Sequence, residues 1–203
     1  MRELTHLRGA TLQPDGATCF SLWAPDARSV AVRLGDGSVH RMLHQDEGWY
    51  SVRVNCGAGT LYRFLIDDRL SVPDPASRYQ PQGLEGPSCV VDPAAYPWQN
   101  SDWHGRPWHE TVIYELHPAA CGGFAGIRQQ LAELRELGVT AIELMPVSQY
   151  PGRHNWGYDG VFPFAPQDSL GTPDELRDMI DTAHGLGLMV FMDVVYNHFG
   201  PQG

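Results

Sequence analysis

Two short stretches in the last quarter of this 203-residue sequence concentrate side chains able to do chemistry. The first is Trp156-Gly157-Tyr158-Asp159-Gly160. The second is Asp193-Val194-Val195-Tyr196-Asn197-His198-Phe199-Gly200-Pro201. Together they offer flat aromatic faces, two carboxylates, a carboxamide and an imidazole. Such a set can stack on a ligand and exchange hydrogen bonds with its polar edge. Taken singly, each residue has a plainer use. An aspartate after a strand is commonly a turn former or a helix cap, a lone loop histidine is solvated, and a tyrosine packs. The case for chemistry rests on the combination, and so on the elements that bring it together.

Those elements are legible upstream. Residues 112–117 form a short, mostly apolar strand pattern. Phe124, Ile127, Leu131, Leu134 and Leu137 recur at three- and four-residue steps, which predicts an amphipathic helix. Gly138 ends it at a left-handed cap. Residues 140–145 predict a second strand, stopped by Pro146. Thr172 caps a second helix, with Pro173 at its first position and Glu175 closing a capping box. Leu176, Ile180 and Ala183 are its expected buried stripe, and Gly185 and Gly187 close it. Residues 188–193 predict a third strand, apolar almost throughout, as expected of a strand covered on both faces. Alternating β and α units imply parallel strands with helices outside. Pattern alone does not separate a barrel from an open sheet.

The first ninety residues carry the other period. In residues 29–34, Val30, Val32 and Leu34 share one face while Ala31 and Arg33 take the other. Gly35-Asp36-Gly37 reads as a hairpin turn. Trp49–Val54 and Leu61–Ile66 continue the alternation, with Asp67-Asp68 as a further turn. Short strands at this spacing, with no helical signal between them, suggest an immunoglobulin-like β-sandwich. Trp23, Trp49, Tyr50 and Tyr62 could stack on sugar, although aromatic residues usually fill small cores. Between the halves, residues 92–110 hold Trp98, Trp103 and Trp108 and have no period. They are expected to connect and pack the two halves.

Composition narrows the partners. The formal charge is −10, and every one of the 14 basic residues is arginine. An acidic chain without a basic stripe suits neither nucleic acid nor an anionic membrane. No apolar run reaches the ~20 residues of a membrane span. The opening Met1-Arg2-Glu3-Leu4-Thr5-His6 lacks the apolar segment of a secretory signal, so a cytoplasmic protein is expected. Cys19, Cys56, Cys89 and Cys121 are far apart and read as reduced, buried thiols. No zinc spacing occurs among them, and no metal or cofactor is assigned.

The motifs also carry a resemblance. The 156–160 and 193–201 stretches resemble the substrate-stacking block and the first short conserved block of the α-amylase family of glycoside hydrolases. Phe20-Ser21-Leu22-Trp23-Ala24-Pro25-Asp26-Ala27 and Tyr62-Arg63-Phe64-Leu65-Ile66-Asp67 resemble the N-terminal sandwich of its branching, debranching and trehalose-releasing members. Val72-Pro73-Asp74-Pro75-Ala76-Ser77-Arg78-Tyr79-Gln80-Pro81 and Gly86-Pro87-Ser88 resemble the trehalohydrolases that act on maltooligosyltrehalose more than the branching enzymes. The prolines, each fixing φ and removing a donor, predict a rigid, extended crossing between domains.

The resemblance implies a multidomain chain: a sandwich over 1–91, a linker over 92–110, and the first three β/α units of a (β/α)8 barrel over 111–203. In such a barrel functional groups lie beyond the carboxyl ends of the strands, where His117, the loop over 146–166 and residues 193–198 fall. It also implies that Tyr158 is the platform under the reacting sugar, His198 a hydrogen-bond partner of its hydroxyls, and Asp193 the carboxylate ordering the site. Trp156 and Asp159 join the substrate-binding set. Asn197, a metal ligand in calcium-dependent members, and His117 are structural. After His117, Pro118-Ala119-Ala120-Cys121-Gly122-Gly123 is shorter than the corresponding loop of the relatives.

The retaining mechanism needs a nucleophile and an acid/base roughly 5–5.5 Å apart. The family carries these after its fourth and fifth strands, beyond Gly203, so no residue here is assigned a catalytic role. Glu143 and Asp159 are not substitutes. The implied partner is an α-1,4-glucan or a maltooligosyltrehalose-like oligosaccharide. A branching or debranching enzyme and a non-catalytic glycan-binding or interaction module remain alternatives.

Overall fold

The computed structural model describes residues 8–202. The opening residues read above for a missing signal lie outside the described residues. Chain contacts divide the protein into two compact units, Met1–Pro93 and Ala94–Gly203.

The first unit contains β1 (Gly9–Leu12), β2 (Thr18–Trp23), β3 (Val30–Leu34), β4 (Val39–Arg41), β5 (Leu43–His44), β6 (Trp49–Val54), β7 (Leu61–Ile66), β8 (Leu70–Val72) and β9 (Ser88–Cys89). They form two antiparallel sheets, ordered β1-β2-β6-β5 and β4-β3-β7-β8, with β9 also on β7. Alternation puts Val30, Val32 and Leu34 into a core shared by both sheets, together with Phe20, Tyr50, Tyr62 and Phe64. The turn between β3 and β4 places Gly37 at a φ of 89°. Asp67 and Asp68 take positive φ between β7 and β8, which short polar side chains tolerate. One face assignment needs correction. Ala31 was placed outward, yet it is fully buried, and its register partner Leu65 is buried too. Tyr50 and Tyr62 are core residues, Trp49 is half-buried, and Trp23 stays 59% exposed with its indole N–H donating to the Glu47 carbonyl.

The proline-rich stretch after β8 does not cross between units. It folds back within the first one, because its polar side chains are buried there. Asp74 accepts from the Tyr62 hydroxyl at 2.5 Å and from the Ala76 N–H at 2.8 Å. The Asp74 N–H donates to Ser88 Oγ at 2.9 Å, and the Ser88 hydroxyl donates to Gln80 Oε1 at 2.5 Å. A side chain at Gly9 would bring its Cβ within 2.7 Å of the Asp74 carboxylate. Desolvation pushes the Asp74 carboxyl from 3.8 up to about 6, against the opposing pull of the Tyr62 and Ala76 hydrogen bonds and of Arg78.

The second unit contains β10 (Ile113–Leu116), α1 (Gly123–Leu137), β11 (Ala141–Leu144), β12 (Ser148–Gln149), β13 (Phe162–Pro166), α2 (Pro173–Gly185) and β14 (Met189–Met192). A parallel sheet β10-β11-β14 runs in register from Ile113, Ala141 and Met189 to Leu116, Leu144 and Met192. The two helices bury Phe124, Ile127, Leu131, Met179 and Ala183 with Leu116, Ile142 and Leu144. Gly138 caps α1 at a φ of 98°, and Thr172 and Glu175 form the expected capping box. Three expectations change. The stripe of α2 is centred on Met179 and Ala183, while Leu176 and Ile180 are only partly buried. β14 is not covered on both faces: Val190 and Phe191 are only partly buried and Met192 is 43% exposed. Residues 146–166 are not one open loop, since β12 and β13 pair antiparallel inside them.

The tryptophan-rich stretch, read as a connection between halves, is fastened to α2 of the second unit. The buried Asp181 carboxylate accepts the N–H groups of Gln99 (2.9 Å) and Asn100 (3.0 Å), and Asn100 Nδ2 at 3.1 Å. These hydrogen bonds outweigh the cost of burial and hold the Asp181 carboxyl below its usual range. Trp103 stacks on His184 at 5.2 Å. An irregular segment has no ladder partners for its backbone donors, and here a helix-borne carboxylate supplies them. The four cysteines are unpaired and half-buried rather than buried. Among the described residues no helix is long and apolar enough to cross a membrane.

Two outcomes test this account. A carboxyl raised by burial favours the folded state fully below about 4, and that contribution is lost as pH rises through about 6. Asp74→Asn should therefore flatten the fall in denaturant stability of the first unit between these values; an unchanged slope contradicts the buried carboxylate. Asp181→Ala should lower the hydrogen-exchange protection of the Gln99 and Asn100 amides by about tenfold or more, leaving α1 amides unaffected.

Candidate functional site

The two chemistry-bearing stretches meet beyond the carboxyl ends of β11 and β14. The position of each is measured from the end of β11. The Asp193 N–H donates to the Leu144 carbonyl at 2.9 Å, carrying the ladder one residue past β14. Gly157, at a φ of 97°, lies so close to Pro146 that a Cβ there would fall 1.9 Å from its carbonyl oxygen. Any side chain at 157 would push the following residues away.

Between those fixed points, the Tyr158 hydroxyl donates to Asp193 Oδ2 at 2.9 Å. His198 Nε2 lies 2.9 Å from the Tyr158 carbonyl oxygen. A carbonyl only accepts, so Nε2 carries the proton, and the other ring nitrogen is left for a ligand. The Gly200 N–H donates to the Gly160 carbonyl at 3.1 Å, and a Cβ at Gly200 would fall 2.1 Å from the Asp159 carbonyl oxygen. Two glycines thus permit the loops to cross at backbone contact. Tyr158 keeps 38% of its surface exposed and Trp156 keeps 71%.

The hydrogen bond to Asp193 raises the Tyr158 phenol above its ordinary range, helped by desolvation and by the nearby Glu115 and Glu143 carboxylates. The phenol is therefore a neutral donor at physiological pH. Glu115 and Glu143 are register partners on β10 and β11 and add negative potential on this side. The arrangement presents an aromatic face, an anchored carboxylate and an oriented imidazole, suited to holding a neutral polyhydroxylated ring.

The other expected site residues are placed apart from this trio. Asp159 is turned back on its own loop, where Asn155 Nδ2 donates to it at 2.7 Å; Asn155 Oδ1 accepts the Gly157 N–H at 2.8 Å. Trp156 is on the same loop. Asn197 is exposed, with no side-chain hydrogen bond among the described residues. No group of three His, Cys, Asp or Glu among the described residues is placed to hold a metal ion. His117 Nδ1 accepts the Ala120 N–H at 3.1 Å and shapes the turn after β10.

Sequence reasoning missed Gln149 and Gln167, both buried at the root of the Tyr158 loop. Gln167 Oε1 accepts the Tyr150 N–H at 2.9 Å, and its amide donates to the Gly152 carbonyl at 3.1 Å. Gln149 Oε1 accepts the Asp168 N–H at 3.0 Å. Their only signal was a polar amide beside apolar neighbours in a stretch read as loop.

The family described as "Alpha amylase, catalytic domain" matches residues 94–202. The chain is 43% identical over 199 residues to the malto-oligosyltrehalose trehalohydrolase of Saccharolobus solfataricus, spanning 96% of this chain and 35% of that protein. A 1.4 Å crystal structure described as an alpha amylase from Salmonella typhimurium superposes with a TM-score of 0.93 at 44% identity, over 97% of this chain and 34% of that one. A type I pullulanase from Bacillus subtilis complexed with maltose gives 0.82 at 26% identity, over 97% and 34%. The chain spans about a third of the length of these proteins, and the match to residues 94–202 covers more than half of its own. It belongs to the α-amylase family.

Proposed function

We propose that this chain corresponds to the N-terminal part of an α-glucan-acting glycoside hydrolase that releases trehalose from maltooligosyltrehalose. In this reading the first unit is an immunoglobulin-like sandwich, and the second is the first three β/α units of a (β/α)8 barrel. Tyr158, Asp193 and His198 hold the reacting sugar, Trp156 lines the approach, and Asp159, proposed from sequence as a sugar contact, braces the loop through Asn155. Asn197 and His117 shape the loops. Nucleophile and acid/base come from outside these 203 residues, which hold a sugar platform without the pair of carboxylates that cleaves.

One observation carries the reading: the hydroxyl and the carbonyl of Tyr158 bind Asp193 and His198, joining two distant motifs into one unit at the carboxyl end of a parallel sheet. A sugar ring stacked on the phenol would find a carboxylate and an imidazole at its edge. Hydrogen bonds from the sugar hydroxyls to both can strengthen as positive charge develops on the ring.

Maltohexaose titrated against the chain should bind weakly, at roughly millimolar affinity. Tyr158→Ala should weaken it about tenfold, the loss of one aromatic contact and its hydrogen bond. Gly157→Ala should do the same without touching a ligand group, by displacing the loop. Binding indifferent to both substitutions would remove the platform. Incubated with maltooligosaccharides or maltooligosyltrehalose, the chain should release no product. Turnover abolished by a substitution at Glu143 or Asp159 would overturn the assignment of cleavage to residues elsewhere.

A further inference from the structure

Exposed aromatic side chains gather where the two stretches meet beyond β11 and β14. Trp156, Tyr158, Tyr196 and Phe199 are all exposed there. One exposed apolar residue is ordinary on a protein surface, whereas several together mark a contact area. Trp156 and Tyr158 already have a place in the sugar site. Tyr196 and Phe199 have none.

Those two differ in how they are held. Tyr196 is 83% exposed, and neither it nor its neighbours Val195 and Asn197 forms a hydrogen bond to another described residue. Phe199 is 69% exposed but fastened on both sides. Before it, His198 Nε2 donates to the Tyr158 carbonyl at 2.9 Å. After it, the Gly200 N–H donates to the Gly160 carbonyl at 3.1 Å. Gly200 also lies against Asp159, whose carbonyl oxygen would be 2.1 Å from any Cβ added there. Tyr158 and Phe199 are the residues immediately before the two in that contact, so backbone geometry sets the place of one relative to the other. Neither ring packs on another aromatic ring among the described residues.

The chemistry of the pair divides their work. The Tyr158 hydroxyl is tied to Asp193, so a sugar ring on the phenol has its polar edge directed to that carboxylate and to His198. Phenylalanine has no hydrogen-bonding atom and recognises only apolar surface, which the C–H face of a sugar ring supplies. Phe199 follows His198 in the chain, beyond the edge of the ring that His198 serves.

We propose that Phe199 is a second stacking position, which takes the sugar unit linked to the one on Tyr158, so that the site selects an α-linked disaccharide or longer chain over a single sugar. This role rests on the sugar platform proposed for Tyr158.

The test titrates the 203-residue chain with glucose and with maltose, following the His198 ring resonances. Phe199→Ala should weaken maltose by about fivefold, the loss of one aromatic contact, and leave glucose unchanged. Phe199→Tyr keeps the ring and should keep the affinity for maltose. Tyr196→Ala should alter neither sugar, and Tyr158→Ala should weaken both. A ligand-free His198 spectrum like that of the parent chain shows that the loop stays in place in each Phe199 variant. Equal losses for glucose and maltose in Phe199→Ala, or no loss for maltose, overturn the second position and leave the platform standing. Glucose binding indifferent to Tyr158→Ala overturns the platform and this role with it, as does a chain that takes up neither sugar.

Discussion

The hydrogen bond from the Tyr158 hydroxyl to Asp193 joins residues 35 positions apart, and most of what distinguishes the second unit is arranged around it. Each partner is positioned by a contact that its stretch makes at the end of β11. Asp193 is placed by its backbone bond to Leu144, and Tyr158 by the close approach of Gly157 to Pro146. Both anchors belong to the end of β11, the one strand of its sheet with a neighbour on each side. A central parallel strand is rigid because its backbone groups are satisfied in both directions. Everything measured from its end inherits that rigidity.

Buried polar side chains play the matching part where no strand is available. Asp74 and Ser88 hold the proline-rich stretch, Asp181 holds the tryptophan-rich stretch, and Gln149 and Gln167 hold the root of the Tyr158 loop. In each case an irregular backbone, which pairs poorly with itself, finds donors or acceptors on a side chain from a regular element or a turn. A buried polar group without a partner is costly, whereas a satisfied one specifies a single arrangement. The protein uses this selectivity at all three of these irregular stretches.

The ends of the parallel sheet differ in kind. Beyond the carboxyl ends lie carboxylates, a neutral phenol and an imidazole, on the side where Glu115 and Glu143 add negative potential. Before the amino ends lie Arg135, the Arg106–Glu110 ion pair and the capped helix termini. The electrostatic contrast follows from which loops the topology gathers at each end.

Several features followed from local patterning. β6 and β7 fall on the expected residues, and the capping box of α2 and the glycine cap of α1 are where short-range chemistry places them. Those signals depend on period, turn chemistry and capping, all decided within a few residues. The partners of Asp74 and Asp181, the pairing of β12 with β13 and the burial of Ala31 were illegible, because each depends on a chain segment brought from elsewhere. For the site, sequence alone supplied the residue types of Tyr158, Asp193 and His198. Only the tertiary structure decided that His198 turns Nε2 to the Tyr158 carbonyl and that Asp159 turns away to Asn155. The physical reason is that a hydrogen bond is directional and short, so its partners are chosen by where the folded backbone leaves them.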